Sequence, residues 1–372
     1  MAGTSPGIGQ HPLMGASLGT LVRALKYYGP VPRRHWPHVG AFFASAVARW
    51  PFRQMDRLLL PQRPEKKQPL EAPVFIVSYW RSGSTHLHNL LGLSPQMGII
   101  TPLASGLPNE LLTLATWLRP LLEKGLPADR GVDRVAVTPR SPQEDEIPLA
   151  NMLPFSLFHA LYFGSHFERE FQRTVLWEGA SAAQKAAWEK QLRYFYRKVT
   201  RHQGRQPLLI KNPVYTARVA ALRQIWPEAR FIYIYRNPYT VFHSSVQYYH
   251  KMLQSLSLQD YDEAAIERVV LHSYPRMLDA LHRDTEHLPP EQFATVRYED
   301  LEAQPLEVLH HLYEQLHLPG AQPGLKAATQ YLKNLTGYQK NSHQYSSALR
   351  QKVDAHWGKY VERYGYAFPG KG

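Results

Sequence analysis

The stretch "FIVSYWRSGSTHLHNLL", residues 75–91, decides the fold of this chain. The apolar run Val74–Val77 predicts a buried strand, small residues at 82–85 predict a tight turn, and the leucines at 87–91 have helical spacing. Strand, small polar loop and helix are the usual device for binding a phosphate, because the amides of a helix N-terminus point at the anion. The Gly-x4-Gly-Lys-Ser/Thr pattern of P-loop NTPases is absent, since an arginine opens this loop and no lysine is followed by a metal-binding hydroxyl. The stretch therefore predicts an anion site that differs from the triphosphate site of ATP.

Composition bounds the classes of protein to which the chain can belong. Its 372 residues, 44% of them hydrophobic, suit one large globular domain or one domain with additions at its edge. The net charge of +13 favours anionic partners, including nucleotides, sulfated molecules and acidic membrane surfaces. The basic residues are scattered and not interleaved with aromatic residues, so we expect no nucleic-acid partner. The absence of cysteine excludes disulfides and thiolate metal sites.

The first 72 residues are predicted to form an N-terminal helical extension and linker. A linker with four prolines spans residues 60–73, and the main domain is expected over 73–372. The longest early apolar stretch, "VGAFFASAVARWPF", is interrupted by Arg49 and Pro51 and is too short to span a bilayer. Packing on the core is favoured for it, and peripheral membrane contact through the N-terminal segment stays open. With no signal peptide in the sequence, we expect a cytoplasmic protein.

The rest of the chain alternates strands with helices. Residues 181–202 predict a helix, and "QPLLIK", "RFIYIYR" and "QFATVR" predict strands, with "MGIITP" as a further short strand. Short connections between such elements imply an α/β fold with a parallel sheet flanked by helices. Ligands of these sheets bind at the carboxyl ends of the strands. Polar residues at the predicted strand ends should therefore converge on one edge; they are Arg81, Lys211, Arg236 and Tyr298.

The first loop offers several groups for an anion. Amides around Gly83, Ser84, Thr85 and His86 would face a phosphate at the helix N-terminus, and the hydroxyls of Ser84 and Thr85 can donate as well. Gly83 permits close approach of the backbone, and Arg81 supplies a fixed positive charge. The alternative is an ordinary strand-to-helix turn with a capping serine.

A second stretch, "YRNPYTVFHSS", offers another arginine and another hydroxyl for an anion. Arg236 ends a predicted strand, and Ser244 follows eight residues later, about two turns into a helix. An arginine and a hydroxyl at this separation can share one phosphate. The alternative is an exposed arginine and a serine on a helix surface. Together the two elements predict two phosphate sites on one sheet edge.

These motifs resemble those of the sulfotransferases that use 3′-phosphoadenosine 5′-phosphosulfate (PAPS). The family's first motif corresponds to Arg81-Ser82-Gly83-Ser84-Thr85, and its second runs from Arg236 through Asn-Pro to Ser244. "VRYEDL" is similar to a family segment whose tyrosine, here Tyr298, lies by the adenine. "IKNP" at 210–213 and the tail "YQKNSHQYSS" resemble the bacterial-type branch. The resemblance covers residues 73–366 and implies the P-loop NTPase-like sulfotransferase fold.

The resemblance also implies a division of roles. The 5′-phosphosulfate of PAPS would bind the first loop, and the 3′-phosphate would bind Arg236 and Ser244. Arg81, with Lys211 as a second cation, would stabilise charge that develops on the oxygen bridging to the 5′-phosphate. Sulfuryl transfer needs no Mg²⁺ between phosphates, so PAPS is expected as co-substrate without a metal.

A general base is needed to remove a proton from the acceptor. Ser141-Pro142-Gln143-Glu144 reads as a helix start, and it places Glu144, Asp145 and Glu146 beside an aromatic region. Glu144 is the first candidate for the base and Asp145 the second, although acidic residues also suit a first helical turn for structural reasons. His86 and His88 are interpreted as surface or core residues, and His343 as a weak candidate for nucleotide contact.

Two other functions compete with sulfuryl transfer. A P-loop-like kinase would require a loop lysine, which is missing; a non-catalytic module binding an anionic nucleotide or a glycan would bind without turnover. Neither explains the pairing of Arg236 with Ser244. The acceptor is not readable beyond a small-molecule, lipid-like or glycan class, because the apolar residues at 152–167 suit either a hydrophobic acceptor or the core.

Overall fold

A computed structural model describes residues 8–61, 70–125, 138–205, 207–334 and 346–369. The chain forms two compact units. Unit 1 comprises Met1–Glu71, Gly98–Gln206 and His250–Glu263, and unit 2 comprises Ala72–Met97, Pro207–Tyr249 and Ala264–Gly372. The expected division into an extension over 1–72 and a domain over 73–372 stays a prediction. The predicted linker at 60–73 lies largely outside the described residues, and His343 lies outside them entirely.

The secondary structure is mostly helical, with short strands. The strands are β1 (Val74–Val77), β2 (Gly98–Ile99), β3 (Leu208–Lys211), β4 (Arg230–Tyr235) and β5 (Phe293–Arg297). The α-helices are α1 (Leu18–Tyr28), α2 (Trp36–Ala48), α3 (Trp50–Leu59), α4 (Ser84–Leu91), α5 (Pro102–Gly106), α6 (Leu114–Trp117), α7 (Arg119–Lys124), α8 (Glu146–Met152), α9 (Leu157–Tyr162), α10 (Phe167–Val175), α11 (Ala182–Gln203), α12 (Val219–Ile225), α13 (Pro238–Leu256), α14 (Glu263–Thr285), α15 (Tyr298–Ala303), α16 (Pro305–Gln315), α17 (Ala321–Lys333) and α18 (Ser347–Arg363). Short 3₁₀ turns cover Ile8–Gln10, Pro12–Gly15, Arg33–His35, Gly164–His166 and Pro213–Ala217.

Unit 2 is built on a parallel sheet. Its strands run in the order β3-β1-β4-β5, and each neighbouring pair is parallel. The central strand β1 is fully buried, as expected for a parallel strand covered on both faces. Its register pairs Ile76 with Lys211 and Val77 with Tyr233, so the carboxyl ends of three strands lie at one edge. The predicted α/β fold with a parallel sheet is confirmed.

One predicted helix start is wrong. The helix expected from Ser141 begins instead at Glu146, with Asp145 at the N-cap position. The amide of Gln143 donates to the carbonyl of Ile100 at 2.8 Å, which holds this segment in a non-helical path. The hydroxyl of Ser141 accepts from the Thr138 amide, so it closes a local turn rather than a helix. A tertiary hydrogen bond thus overrides the local capping signal.

Unit 1 contains buried ion pairs that involve its N-terminal helices. Lys198 of α11 lies 3.0 Å from the carboxylate of Asp56 in α3, and both side chains are fully buried. Asp56 also accepts from the hydroxyl of Thr113 at 2.6 Å. Arg49 pairs with Glu110 at 2.6 Å, again with both side chains buried. Since a buried charge is stable only when paired, these contacts fix how α3 lies within unit 1.

The apolar stretch at 39–52 forms most of α2 and the start of α3. Phe42 and Ala46 of this stretch are buried, which agrees with the expected packing on the core. None of the described helices has the length and apolar character needed to cross a bilayer.

Candidate functional site

The candidate site lies at the carboxyl edge of the unit 2 sheet. The loop between β1 and α4 is anchored there by two side chains that sequence reasoning missed. The hydroxyl of Thr216 donates to the carbonyl of Ser78 at 2.8 Å, and that of Ser245 donates to the carbonyl of Trp80 at 3.1 Å. The four residues of these two contacts are all buried. The loop is therefore held in one shape from two sides.

Gly83 makes the turn into helix α4. Its φ is +89°, in the left-handed region where a side chain is strained. A Cβ atom placed on Gly83 would lie 2.1 Å from Cδ2 of Tyr298, so the aromatic ring occupies the space that a side chain would need. The predicted close approach at this glycine is therefore a contact with Tyr298. The first-turn amides of α4 point out of the helix end beside this turn.

Arg81 connects the two sequence motifs. Its Nε donates a hydrogen bond to Oγ of Ser244 at 3.1 Å, and its guanidinium lies 5.9 Å from the ring centre of Tyr248. Its φ of +68° is rare for a residue with a side chain and indicates a backbone held in place by its surroundings. Strained backbone of this kind clusters at functional sites. Ser244 lies on α13 and is buried.

Lys211 supplies a second cation at the same edge. It ends β3 and is 3% exposed, so its charge is held against the protein rather than in water. Its Nζ donates to Oγ1 of Thr85 at 3.5 Å, a long contact that directs the ammonium toward the first turn of α4.

Arg236 and Tyr298 form the third part of the site. The guanidinium carbon of Arg236 lies 4.2 Å from the ring centre of Tyr298, within the range of a cation–π contact. The hydroxyl of Tyr298 donates to Glu302 at 3.3 Å, which fixes the ring from its other end. The same ring contacts Gly83, so one aromatic side chain touches both motifs.

The second motif is shaped by its Asn-Pro pair. The side-chain oxygen of Asn237 accepts from the amide of Tyr239 at 3.0 Å and so caps the start of α13. Its side-chain nitrogen donates to the carbonyl of Ala367 at 3.1 Å, so the C-terminal segment is bonded to this turn.

His86 and the loop serines lie close to the turn. Ser82 and Ser84 are buried, and His86 is half-buried. Burial lowers the pKa of His86, against a smaller opposing effect of Glu302. His88 is buried, as expected for a core histidine.

The three predicted carboxylates lie in unit 1 and have different surroundings. Asp145 is fully buried and accepts from the hydroxyl of Tyr196 at 2.7 Å. Glu146 accepts from the hydroxyl of Ser156 and the amide of Leu157, each at 2.8 Å. Glu144 is half-buried. Both Asp145 and Glu146 are therefore used within unit 1, and the role of Glu144 or Asp145 as general base stays a prediction.

The structure brings the predicted residues of unit 2 to one edge of the sheet. It joins Arg81 with Ser244, Lys211 with Thr85, and Arg236 with Tyr298. Ser245 ends the quoted stretch of the second motif, so its position was visible in the sequence, whereas Tyr248 lies three residues beyond that stretch. No sequence signal pointed to Thr216.

Comparison with known proteins gives consistent results. A sequence model described as "Sulfotransferase family" matches residues 73–323. Over 296 residues the chain is 29% identical to the omega-hydroxy-beta-dihydromenaquinone-9 sulfotransferase Stf3 of Mycobacterium bovis and of Mycobacterium tuberculosis, covering 80% of this chain and 76% of each relative.

Two solved structures are similar in fold. Sulfotransferase STF9 from Mycobacterium avium has a TM-score of 0.66 at 15% identity, covering 96% of this chain and 98% of its own. Sulfotransferase STF1 from Mycobacterium tuberculosis H37Rv has a TM-score of 0.59 at 17% identity, covering 92% and 91%.

Proposed function

Because this chain belongs to the sulfotransferase family, an enzyme family that transfers sulfuryl groups, we propose that it uses PAPS as donor and a hydroxyl of a lipid-like molecule as acceptor. The donor and the acceptor are the proposed parts. The binding residues proposed for PAPS are Arg81, Ser82, Gly83, Ser84, Thr85, His86, Arg236, Ser244 and Tyr298.

The hydrogen bond between Arg81 and Ser244 is the observation that carries the donor proposal. It joins the loop after β1 to helix α13, although 163 residues separate the two along the chain. A doubly phosphorylated nucleotide needs two anion sites within reach of each other, and this contact brings the two candidate sites together. A kinase that binds ATP has no corresponding need for the second site.

The residues present fit a nucleotide of this kind. The turn at Gly83 leaves no room for a Cβ atom, as expected where the backbone must approach a neighbouring group closely. The Tyr298 ring, stacked by Arg236, provides an aromatic surface beside a cation. Such a surface suits a purine with an adjacent phosphate.

The chain's cations account for the chemistry proposed at the first loop. When bound, PAPS supplies an activated sulfuryl group. Arg81 and Lys211 hold positive charge at the N-terminal end of α4, where the helix dipole has the same sign. Negative charge on a leaving phosphate oxygen is stabilised by such fixed groups without reorganisation, and removing one typically costs about 10²- to 10³-fold in rate. We propose Arg81 and Lys211 as the catalytic cations on this basis.

The proposed general base is Glu144, with Asp145 second. Asp145 is fully buried and already accepts a hydrogen bond from Tyr196, so it is less available to an acceptor than the half-buried Glu144. Replacing Glu144 with glutamine should lower kcat and remove the acid limb of the pH–rate profile, whereas the same change at Glu146, whose oxygens hold Ser156 and Leu157, should act on stability instead.

A lipid-like acceptor is favoured by similarity to Stf3, whose name describes a sulfotransferase acting on a hydroxylated menaquinone. A glycan acceptor is the alternative within the same reaction class.

Transfer of ³⁵S from labelled PAPS tests the proposal. The purified chain is incubated with EDTA and with long-chain isoprenoid alcohols, hydroxylated quinones, oligosaccharides or amines. We expect label in the lipid phase without added metal. Label only in oligosaccharides or amines would contradict the acceptor class, and transfer from [γ-³²P]ATP dependent on Mg²⁺ would contradict the donor.

A further inference from the structure

Unit 1 exposes large apolar side chains on two neighbouring helical segments. Helix α3 and the α6–α7 segment carry them, and Leu58 and Leu121 are the most exposed at 82% and 67%. We call this set the apolar patch; its members are Trp50, Met55, Leu58, Leu59, Trp117, Leu118 and Leu121. Isolated exposed leucines are ordinary on protein surfaces, but a set of large apolar side chains with two tryptophans on two neighbouring segments is not.

The geometry of α3 explains why Leu58, its most exposed apolar residue, faces solvent. At 100° per residue, Leu58 lies about 160° around the helix from Asp56. Asp56 faces inward, where it bonds Thr113 and Lys198. The inward position of Asp56 therefore places Leu58 toward solvent, where it is 82% exposed.

The two segments are adjacent in space. The rings of Phe52 in α3 and Trp117 in α6 meet edge to face, with centres 6.0 Å apart. The amide of Leu112, just before α6, donates to Asp56 at 3.0 Å. These contacts join α3 to the segment that leads into α6, so the two sets of exposed side chains lie on neighbouring segments of unit 1.

The charges around the apolar patch are mostly positive. Arg57, Arg119 and Lys124 are exposed within the two segments, and Arg53 is half-buried. Among the described residues of the two segments, Glu123 is the acidic side chain outside the core, and it is paired with Arg119 at 2.7 Å. A surface with protruding tryptophan and leucine and a basic border is complementary to lipid head groups of negative charge, since the apolar side chains enter the acyl boundary while the cations stay at the head groups.

We propose that the apolar patch docks this protein on the surface of an anionic phospholipid bilayer. The side chains project outward from helices, so they suit insertion into the interface of a lipid bilayer. Their basic border disfavours pairing with an identical copy, because like charges would oppose each other. Docking here would bring the enzyme to the phase in which a lipid-like acceptor resides.

Vesicle sedimentation tests the surface without reference to sulfuryl transfer. Wild type is mixed with vesicles of phosphatidylcholine alone or with 30% phosphatidylglycerol, beside the double variant L58S/L121S and the control Leu306→Ser. Leu306 is an exposed leucine of unit 2 outside the patch. We expect binding to the anionic vesicles, a loss of at least about tenfold in L58S/L121S, and no change in the control. Arg57→Gln should weaken binding about fivefold, and 0.5 M salt should weaken it further.

The variants should fold normally, because both leucines project into solvent, and adenosine 3′,5′-bisphosphate should bind each of them as it binds wild type. Equal sedimentation of wild type and L58S/L121S would overturn the proposal. So would wild-type self-association that the double variant abolishes, since the patch would then be a contact between copies. If wild type binds the vesicles but does not bind adenosine 3′,5′-bisphosphate, the donor proposal is contradicted and the membrane proposal is supported.

Discussion

Arg81 Nε donates a hydrogen bond to Ser244 Oγ at 3.1 Å, and this contact joins the loop that follows β1 to helix α13. Taken alone, the first motif could be an ordinary strand-to-helix turn, and the second could be an exposed arginine with a serine on a helix surface. Their direct contact makes the two motifs parts of one site, with the Tyr298 ring touching Gly83 on one side and Arg236 on the other. The predictions below follow from this arrangement and from the buried groups of unit 1.

Replacing Arg81 with alanine should lower kcat by about 10²- to 10³-fold, because a fixed charge is removed from the end of α4. Arg81→Lys should recover part of this loss, since lysine keeps the charge but lacks the forked geometry that reaches Ser244. Single-turnover rates with labelled PAPS measure the effect. Arg230→Ala is the control, because Arg230 begins β4 at the opposite edge of the sheet. A change in KM alone for Arg81→Ala would argue against a role in the chemical step.

Gly83→Ala should lower the free energy of unfolding and weaken nucleotide binding. The new Cβ atom meets two costs: a positive φ, worth about 1–2 kcal/mol, and a collision with the Tyr298 ring. Gly179→Ala separates the two, because Gly179 also has a positive φ, of +69°, but has open space around it. Urea denaturation of both variants gives the comparison. Equal losses of stability would show that the contact with Tyr298 is unimportant.

Asp56→Ala should destabilise the protein by about 3–5 kcal/mol, because it leaves the buried ammonium of Lys198 without the carboxylate that pairs with it. Burial lowers the pKa of Lys198 and Asp56 opposes this shift, so removing the carboxylate should lower that pKa further. Glu123→Ala removes a partner from the surface pair with Arg119 and should cost less than about 1 kcal/mol. The midpoints of urea denaturation of the two variants give the comparison. Similar midpoints would show that the buried pair of Asp56 and Lys198 matters no more than the surface pair.

The stability of the protein should fall as pH is lowered from about 6.5 toward 3. Burial lowers the pKa of His159 from its ordinary value of 6.5 to about 3, and within the described residues neither ring nitrogen has a hydrogen-bond partner. The unfolded chain binds a proton in this window and the folded chain does not, so acid favours unfolding, by up to about 5 kcal/mol from this group. His159→Phe should flatten this pH dependence in thermal denaturation. An unchanged slope would mean that His159 is not its source.

Much of the site could be predicted because its residues end buried strands. The apolar runs that form these strands are visible in the sequence, and they end at Val77, Lys211 and Tyr235. Parallel pairing then brings the carboxyl ends of the strands together. The contact of Arg81 with Ser244 could not be predicted. It depends on a positive φ at Arg81, which tertiary contacts impose and local sequence does not favour.

Local signals failed where a tertiary contact competed with them. Ser141 is followed by residues that favour a helix start. The amide of Gln143 instead donates to the carbonyl of Ile100, and the helix begins only at Glu146. Similarly, nothing in the sequence marked Thr216 as the residue that anchors Ser78, because a lone threonine in a turn carries no distinctive pattern.

Calorimetry with adenosine 3′,5′-bisphosphate tests the central claim most directly. The titration is done without metal on the native chain, on Arg236→Ala and on the control Arg230→Ala. The account predicts micromolar binding to the native chain and the control, and its loss in Arg236→Ala, because that guanidinium beside Tyr298 is proposed to hold one of the two phosphates. Equal affinity in Arg236→Ala and the native chain would contradict it.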